Sequence, residues 1–291
     1  MNIHLNRCLT ILAGLIGFLS VTVLLINYFS FKFTGNNYFP ENVILPALIL
    51  ILFYFGLVLT FGKESKISRS GLHLIYWFGV ISLIALATNA VQLTPFKPID
   101  DKIVYLESYL KINIASILLW TSYHTHVHYV LSNIYDSLAY QMCVLPLLAI
   151  IMGRFNLLKD YYFLMLFTVL IGFGFYYFFP TTAPASIINS PLFLQSQNDT
   201  ALKFNQIHHY IIPTTNDGGL IALPSFHTVW ALLCIYLVKD WPLIYVPLMF
   251  INTLLILSCV MLGWHYPTDV VGAILLVLIA YCFLSWTKAV K

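Results

Sequence analysis

The chain has 291 residues, of which 60% are hydrophobic and 9% are charged, and its formal net charge is +3. Soluble globular proteins carry about 25% charged residues, so this composition excludes a soluble domain and predicts an integral membrane protein. The Lys and Arg residues form no cluster of the size that nucleic-acid binding requires, which excludes a nucleic-acid partner.

The apolar residues fall into eight long stretches separated by short polar links. A hydrocarbon core about 30 Å thick needs roughly 20 apolar residues per helix, and backbone groups without access to water must bond within a helix. We therefore predict an all-α, polytopic membrane bundle of about eight transmembrane helices. It forms one membrane domain, residues 1–291, with N-terminal helices in 1–133 and a core in 134–291. The expected spans are 8–29, 42–61, 72–93, 134–152, 161–179, 224–238, 242–262 and 267–286.

Residues 99–133 do not fit this pattern. A charged start is followed by only about nine apolar residues, Ile112–Trp120, which cannot cross a bilayer. We expect helices that lie on the membrane surface or dip into it. His124 and His128 are four residues apart, a spacing compatible with a metal site on one helical face. No acidic or Cys side chain lies at ligand spacing, so we favour an interfacial helix and predict neither a metal ion nor a cofactor.

The distribution of basic residues predicts the orientation, because Lys and Arg are retained on the cytoplasmic side. With a cytoplasmic N-terminus, that side carries Arg7, Lys63, Lys66, Arg69, Arg154, Lys159, Lys239, Lys288 and Lys291, and the other carries Lys32, Lys97, Lys102, Lys111 and Lys203. We therefore predict cytoplasmic N- and C-termini. The polar loop at 180–222 and two polar motifs then face the periplasm, the lumen or the exterior.

The motif Gly263–Asp269 opens the last predicted span. Pro267 suits the first position of a helix, where its missing N–H costs nothing, so Asp269 lies in the first turn and His265 just outside it. The carboxylate of Asp269, four residues after His265, can accept a hydrogen bond from one ring nitrogen of that histidine. The other nitrogen is then unprotonated and can act as a nucleophile or a base. The alternative is that the pair only caps the helix, where an acidic residue is favourable in any case.

The motif Ala222–His227 repeats this arrangement at the sixth predicted span. We expect Pro224 to begin a helix, with Ser225 in its first turn and His227 facing the same edge of the membrane. Two helix N-termini directed at one spot form an anion site. A nucleophilic His together with a proton-donating His suits displacement at phosphorus. For His227 alone, the alternative is an interfacial histidine without a role.

These motifs resemble the signatures of a known enzyme superfamily. Pro224–His227 (Pro-Ser-Phe-His) resembles the second signature of the type 2 phosphatidic acid phosphatases, Ser-Gly-His. Ser258–Asp269 resembles the third, which is Ser-Arg, five residues, His, three residues, Asp. The resemblance covers about the last 120 residues. It implies that His265 is the nucleophile, Asp269 its orienting partner and His227 the general acid and base.

The departures from these signatures bear on the substrate. Cys259 stands where the phosphatases have Arg, Phe226 where they have Gly, and no Lys-six-residues-Arg-Pro precedes the long loop. Losing these cations favours a singly charged phosphodiester over a doubly charged monoester. With Phe179–Pro184 (Phe-Pro-Thr-Thr-Ala-Pro) before the two motifs, the pattern is similar to the branch that contains inositol phosphorylceramide synthases. His208 and His209, with Lys203, lie in the long loop and could replace the missing basic clamp, or they are ordinary solvated loop residues.

The sequence thus predicts a membrane lipid phosphotransferase or phosphatase that works through a phosphohistidine. The expected reaction passes the headgroup phosphate of a phospholipid to a lipid alcohol, with phosphate contacts from Ser225, Thr181 and Thr182. With water as acceptor, the enzyme would be a simple lipid phosphate hydrolase. A non-enzymatic transporter is the alternative from another class, but ionisable residues gather at one edge rather than along a path through the bilayer. The sequence leaves the headgroup, the acceptor and the oligomeric state open.

Overall fold

A computed structural model describes residues 3–289 of the chain, and this part contains helices and no strands. Its eleven α-helices are α1 (Ile3–Ile26), α2 (Ile44–Phe61), α3 (Lys66–Val91), α4 (Asp100–Tyr109), α5 (Ile114–Tyr123), α6 (Thr125–Ile151), α7 (Phe155–Phe178), α8 (Gln195–His208), α9 (Phe226–Leu237), α10 (Pro242–Met261) and α11 (Pro267–Ala289). The predicted all-α architecture is confirmed.

Seven of the helices in residues 3–289 are long and apolar enough to cross a membrane, namely α1, α2, α3, α6, α7, α10 and α11. The helices α4 and α5 qualify as an eighth span only when taken together, and they are bent by 81° at their junction. The prediction of about eight spans is therefore confirmed. The bent pair also accounts for the stretch in which we expected helices that lie on the membrane or dip into it.

Two of the predicted spans depart most from the structure. The predicted sixth span, 224–238, forms only the 12-residue helix α9, which at 1.5 Å per residue is about 18 Å long and too short for the hydrocarbon core. The fourth span begins at Thr125 rather than at 134. Its first turns bury Leu131 and Tyr135 against α9 and α10, so His128 lies in a spanning helix instead of a separate surface helix.

The helix α7 lies at the centre of the bundle and is the most extensively buried of the spans. It packs against α1, α3, α9 and α11, while the short α9 is surrounded by α6, α7, α10 and α11. In contrast, α2 has no buried residue and packs against α3 at the periphery. The two helices that follow the polar motifs, α9 and α11, are therefore held directly against the central helix.

The helices α3 and α7 run side by side in the same direction. Near their first turns the guanidinium of Arg69 lies 4.6 Å from the ring centroid of Phe155, and near their last turns Thr94 Oγ1 donates to the carbonyl of Tyr177 at 2.5 Å. Both polar motifs lie at the second of these ends, which we call the motif end. The opposite end carries Lys63, Lys66, Arg69, Arg154, Lys159 and Lys239, and we call it the basic end.

Candidate active site

A tight turn between α10 and α11 delivers His265 to the motif end. Gly263 has a φ of +76°, and a Cβ at this position would lie 2.7 Å from a ring carbon of Phe193, so only glycine fits. The backbone N–H of His265 then donates to the carbonyl of Cys259 at 2.9 Å, and α11 begins at Pro267 as predicted. The turn leaves the His265 side chain directed into the protein and only 5% exposed.

The ring of His265 has its tautomer fixed by its neighbours. Nδ1 lies 3.0 Å from the carbonyl oxygen of Ala222 and 3.3 Å from Oδ2 of Asp269. A carbonyl oxygen can only accept, so Nδ1 carries the proton and Nε2 keeps a free lone pair. Burial lowers the pKa of His265 to about 4, although the bond to Ala222 opposes this shift. The ring is therefore neutral and able to act as a nucleophile at physiological pH.

The carboxylate of Asp269 holds the turn as well as the ring. It is fully buried, and its Oδ2 also accepts from the backbone N–H of Tyr266 at 2.9 Å. The backbone carbonyl of Asp269 accepts from the N–H of Ser225 at 3.1 Å, which ties the two motifs together. The structure thus brings His265 and Asp269 into contact, and it adds the Ala222 carbonyl as a nearer partner that sequence reasoning missed.

His227 faces His265 from the start of α9, with the two ring centroids 5.9 Å apart and their planes at 57°. Tyr135 of α6 stacks on the His227 ring at 4.3 Å, and its hydroxyl lies 3.3 Å from His227 Nδ1. Trp264 in turn stacks on Tyr135 at 5.2 Å. No sequence signal identified Tyr135, because it lies in an apolar stretch 92 residues from its histidine partner.

A cavity of about 160 Å³ is lined by both imidazoles. Its walls are mainly apolar and aromatic, and no Lys or Arg is among its lining residues in the described chain. Phe226 forms part of this wall because it faces Gly172 of α7, where a Cβ would approach its ring within 2.8 Å. The glycine on α7 therefore makes room for the phenylalanine that replaces the usual glycine of the motif.

The three hydroxyl groups expected to contact phosphate have structural partners instead of lining this cavity. Ser225 is the N-cap of α9, one residue before the first turn in which it was expected, and its Oγ accepts from the backbone of Thr228 at 3.3 Å. Thr181 Oγ1 accepts from the N–H of Leu223 at 2.8 Å, and Thr182 bonds to a carboxylate of α4. These residues shape the loops around the site.

The basic residues of the long loop also lie outside the cavity lining. Both ring nitrogens of His208 contact backbone carbonyls at 2.8 Å, one of them that of Thr94, and His209 is exposed. Lys203 is only 1% exposed and donates to the carbonyl of Gly218 at 3.1 Å. Burial lowers the pKa of Lys203 to about 8. The structure therefore does not bring these groups to the two imidazoles.

Two buried acidic residues of α4 support the motif end and were not anticipated from the sequence. Asp100 accepts from the backbone N–H of Thr182 at 2.9 Å and from its hydroxyl at 3.1 Å. Glu107 Oε1 accepts from the backbone N–H of Thr268 at 3.1 Å and from its hydroxyl at 3.0 Å. The carboxylate of Glu107 therefore caps α11 one residue before Asp269, and it links the bent helix pair to the site.

Comparison with protein-family profiles matches residues 101–283 to the PAP2 superfamily. The matched region begins in α4, ends in α11 and includes both polar motifs. A search of curated proteins and a search of solved structures return no match. Because the matched region covers more than half of the 291 residues, the chain belongs to the PAP2 superfamily.

Proposed function

We propose that this protein is a membrane lipid phosphotransferase that opens a phospholipid phosphodiester through a phosphohistidine at His265. Membership of the PAP2 superfamily supports a lipid phosphatase-type function. The observation that carries the finer proposal is that the imidazoles of His227 and His265 line one cavity, with their ring centroids 5.9 Å apart. Both rings can therefore contact the same phosphoryl group.

In the first step, Nε2 of His265 attacks phosphorus and forms an N–P bond. The P–O bond to diacylglycerol breaks, and its electron pair leaves on the diacylglycerol oxygen, which takes a proton from Nε2 of His227. His227 acts as the acid in its doubly protonated form, in which Nδ1–H donates to the Tyr135 hydroxyl oxygen at 3.3 Å and the Nε2 proton is left for the leaving oxygen. The Ala222 carbonyl and the Asp269 carboxylate stabilise the positive charge that develops on the His265 ring.

In the second step, the acceptor alcohol loses its proton to His227 and its oxygen attacks phosphorus. The N–P bond breaks, and its electron pair returns to Nε2 of His265, which restores the enzyme. Water in place of the alcohol would give hydrolysis. The apolar walls around the cavity support transfer, since an apolar site excludes the competing water.

The charges around the site support a singly charged substrate. No Lys or Arg lines the cavity in the described chain. A second negative charge on the phosphate would be desolvated without a compensating cation. We therefore infer that the donor is a phospholipid diester rather than a phosphate monoester.

The basic end supports an active site on the extracytoplasmic face. Basic residues are retained in the cytoplasm, and the links near the first turns of α3 and α7 carry five of the 14 Lys and Arg residues. The motif end then faces the periplasm, the lumen or the exterior, and both termini are cytoplasmic. To test this, a single cysteine is introduced at Asn198 or at Lys239 and treated with a membrane-impermeant reagent. Only the cysteine at Asn198 should react from outside.

The decisive experiment uses the purified protein with labelled phosphatidylinositol, phosphatidylethanolamine, phosphatidylglycerol and phosphatidic acid. Each donor is offered with ceramide or diacylglycerol, and the products are read by mass spectrometry. We expect a transferred headgroup phosphate with one of the diesters. His265→Ala should abolish turnover, whereas the matched control His126→Ala, an exposed histidine outside the cavity lining, should retain it. Normal turnover by His265→Ala would refute the mechanism. A hydrolysis product alone would mean that the enzyme is a hydrolase rather than a transferase.

A second measurement separates the roles of the two histidines. His227→Ala should slow formation of the phosphoenzyme most severely when the leaving group is a poor one, such as an alkoxide. A nitrophenyl leaving group needs no proton, so the variant should retain most of its rate with that substrate. Equal slowing with both leaving groups would argue against a proton-donor role for His227.

A further inference from the structure

A second cleft, much larger than the cavity at the motif end, opens between α1, α2, α3 and α7. Its volume is about 1320 Å³. One wall is apolar and comes from Leu9, Ala13, Leu72, Val80, Leu83 and Leu166. The basic residues Lys63, Arg69 and Lys159 line the same cleft at the basic end of the bundle. The cleft is thus amphipathic, with a cationic mouth and an apolar interior.

This cleft is separate from the candidate active site. Arg69 and Lys159 lie in the opening turns of α3 and α7, whereas both polar motifs lie beyond the last turns of these helices. At 1.5 Å per residue, the remaining length of each helix is about 30 Å. A headgroup at the basic end is therefore out of reach of His265, and its occupant is not a substrate poised for cleavage.

The three cations of the cleft form no ion pair within the described residues. Within residues 3–289 the ion pairs are confined to His265 with Asp269 and Lys288 with Asp160, so Lys63, Arg69 and Lys159 are unpaired. Glu64 is the one carboxylate among the described lining residues, which leaves an excess of positive charge. An excess of cations at the mouth of an apolar cleft favours an occupant that has an anionic headgroup and an apolar tail.

The apolar part of the cleft has the dimensions of an acyl chain. From Leu72 to Leu83 the lining extends over about 17 Å of α3, which is about the depth of one leaflet of a 30 Å hydrocarbon core. No protein atom lies within 4 Å of a Cβ built on Gly14 or Gly79, so the wall is open at both glycines. A cleft of this kind in a bilayer is filled by a lipid tail rather than by water.

We propose that this cleft binds an anionic phospholipid from the leaflet at the basic end. Its phosphate lies against Lys63, Arg69 and Lys159, and one acyl chain lies along α3 past Gly79. The lipid is a bound component of the fold that neutralises the basic end, and its binding does not depend on the reaction proposed for the other end.

The test is lipid binding to the full-length protein in phosphatidylcholine nanodiscs, read by native mass spectrometry and by titration with fluorescent phosphatidylglycerol. Each variant is also prepared in the His265→Ala background, so that turnover does not consume the probe. We expect phosphatidylglycerol to bind at least tenfold more tightly than phosphatidylcholine with the same chains. Each lost cation near a lipid phosphate is worth about a factor of five, so Arg69→Gln with Lys159→Gln should weaken binding by roughly 25-fold.

Matched controls separate this site from general attraction to a basic surface. Lys239→Gln removes a charge at the basic end outside the cleft and should leave binding unchanged. Gly79→Leu fills the cleft and should abolish binding, while Gly56→Leu, on the exposed side of α2 where a Cβ also meets nothing, should not. The two leucine variants remain informative if the charge variants fail to fold.

Several results would overturn the proposal. They are equal binding of the two lipids, unchanged affinity after Gly79→Leu, or an equal loss with Lys239→Gln. Inorganic phosphate at the same concentration as the lipid should not compete, since it lacks the acyl chain. Full competition by phosphate would mean a free-anion site in place of a lipid site.

Discussion

Truncating Glu107 to alanine should destabilise the protein even though Glu107 lies outside the two motifs. Its carboxylate accepts from both the backbone N–H and the hydroxyl of Thr268, and it caps α11 from a buried position. A hydrogen bond to a charged group is worth about 1.5–3 kcal/mol, and loss of an N-cap costs about 0.5–2 kcal/mol. Because the two bonds share one acceptor, we expect Glu107→Ala to lower the free energy of unfolding by about 2–4 kcal/mol.

The assay is thermal unfolding of the purified protein in detergent, followed by intrinsic tryptophan fluorescence. A loss of this size should lower Tm by roughly 5–15 °C. Glu107→Gln keeps an acceptor oxygen and should lose about half as much, while the exposed neighbour Asp101→Ala should change the free energy of unfolding by less than about 1 kcal/mol. Turnover should fall as well, since Thr268 lies between His265 and Asp269. A Tm for Glu107→Ala equal to that of Asp101→Ala would refute the capping argument.

Three other outcomes follow from the site geometry. Because burial lowers the pKa of His265 to about 4, the acid limb of kcat/KM should fall as the pH decreases through about 4 to 5. A limb near pH 6.5, the ordinary value for histidine, would contradict the neutral buried ring. Tyr135→Phe removes the hydroxyl beside His227 while keeping the stacked ring, so it should reduce kcat about tenfold for alkoxide leaving groups and little for nitrophenyl. Gly263→Ala places a methyl group against Phe193 at an unfavourable φ and should lower Tm and turnover together, and wild-type Tm would show that the turn relaxes.

Much of the fold followed from the sequence because lipid imposes a simple rule on the chain. A span must be apolar, about 20 residues long and helical, so composition alone identified most of the crossing helices. The errors arose where that rule does not apply. The segment 224–238 is apolar enough to span, but neighbouring helices bury it as the short α9. In the segment 99–133, the sequence also did not reveal that Asp100 and Glu107 accept from Thr182 and Thr268, which are 82 and 161 residues away.

The candidate site likewise contains one contact that the sequence predicted and one that it did not. The contact between His265 and Asp269 is local, four residues apart beyond a helix-starting proline, and the pattern of residues was enough to predict it. The partner of His227 could not be predicted, because Tyr135 reaches it only through the packing of α6 on α9.

The sequence alone determined that this is a helical membrane protein with a His and Asp pair at one helix start and a second His at another. Those features depend on hydrophobicity and on spacings of a few residues, which do not change with the rest of the fold. Only the tertiary structure decided that the two rings face each other, that the Ala222 carbonyl sets the tautomer, and that Ser225, Thr181 and Thr182 hold loops. Each of these depends on residues far apart in the chain, whose separation is set by how the helices pack.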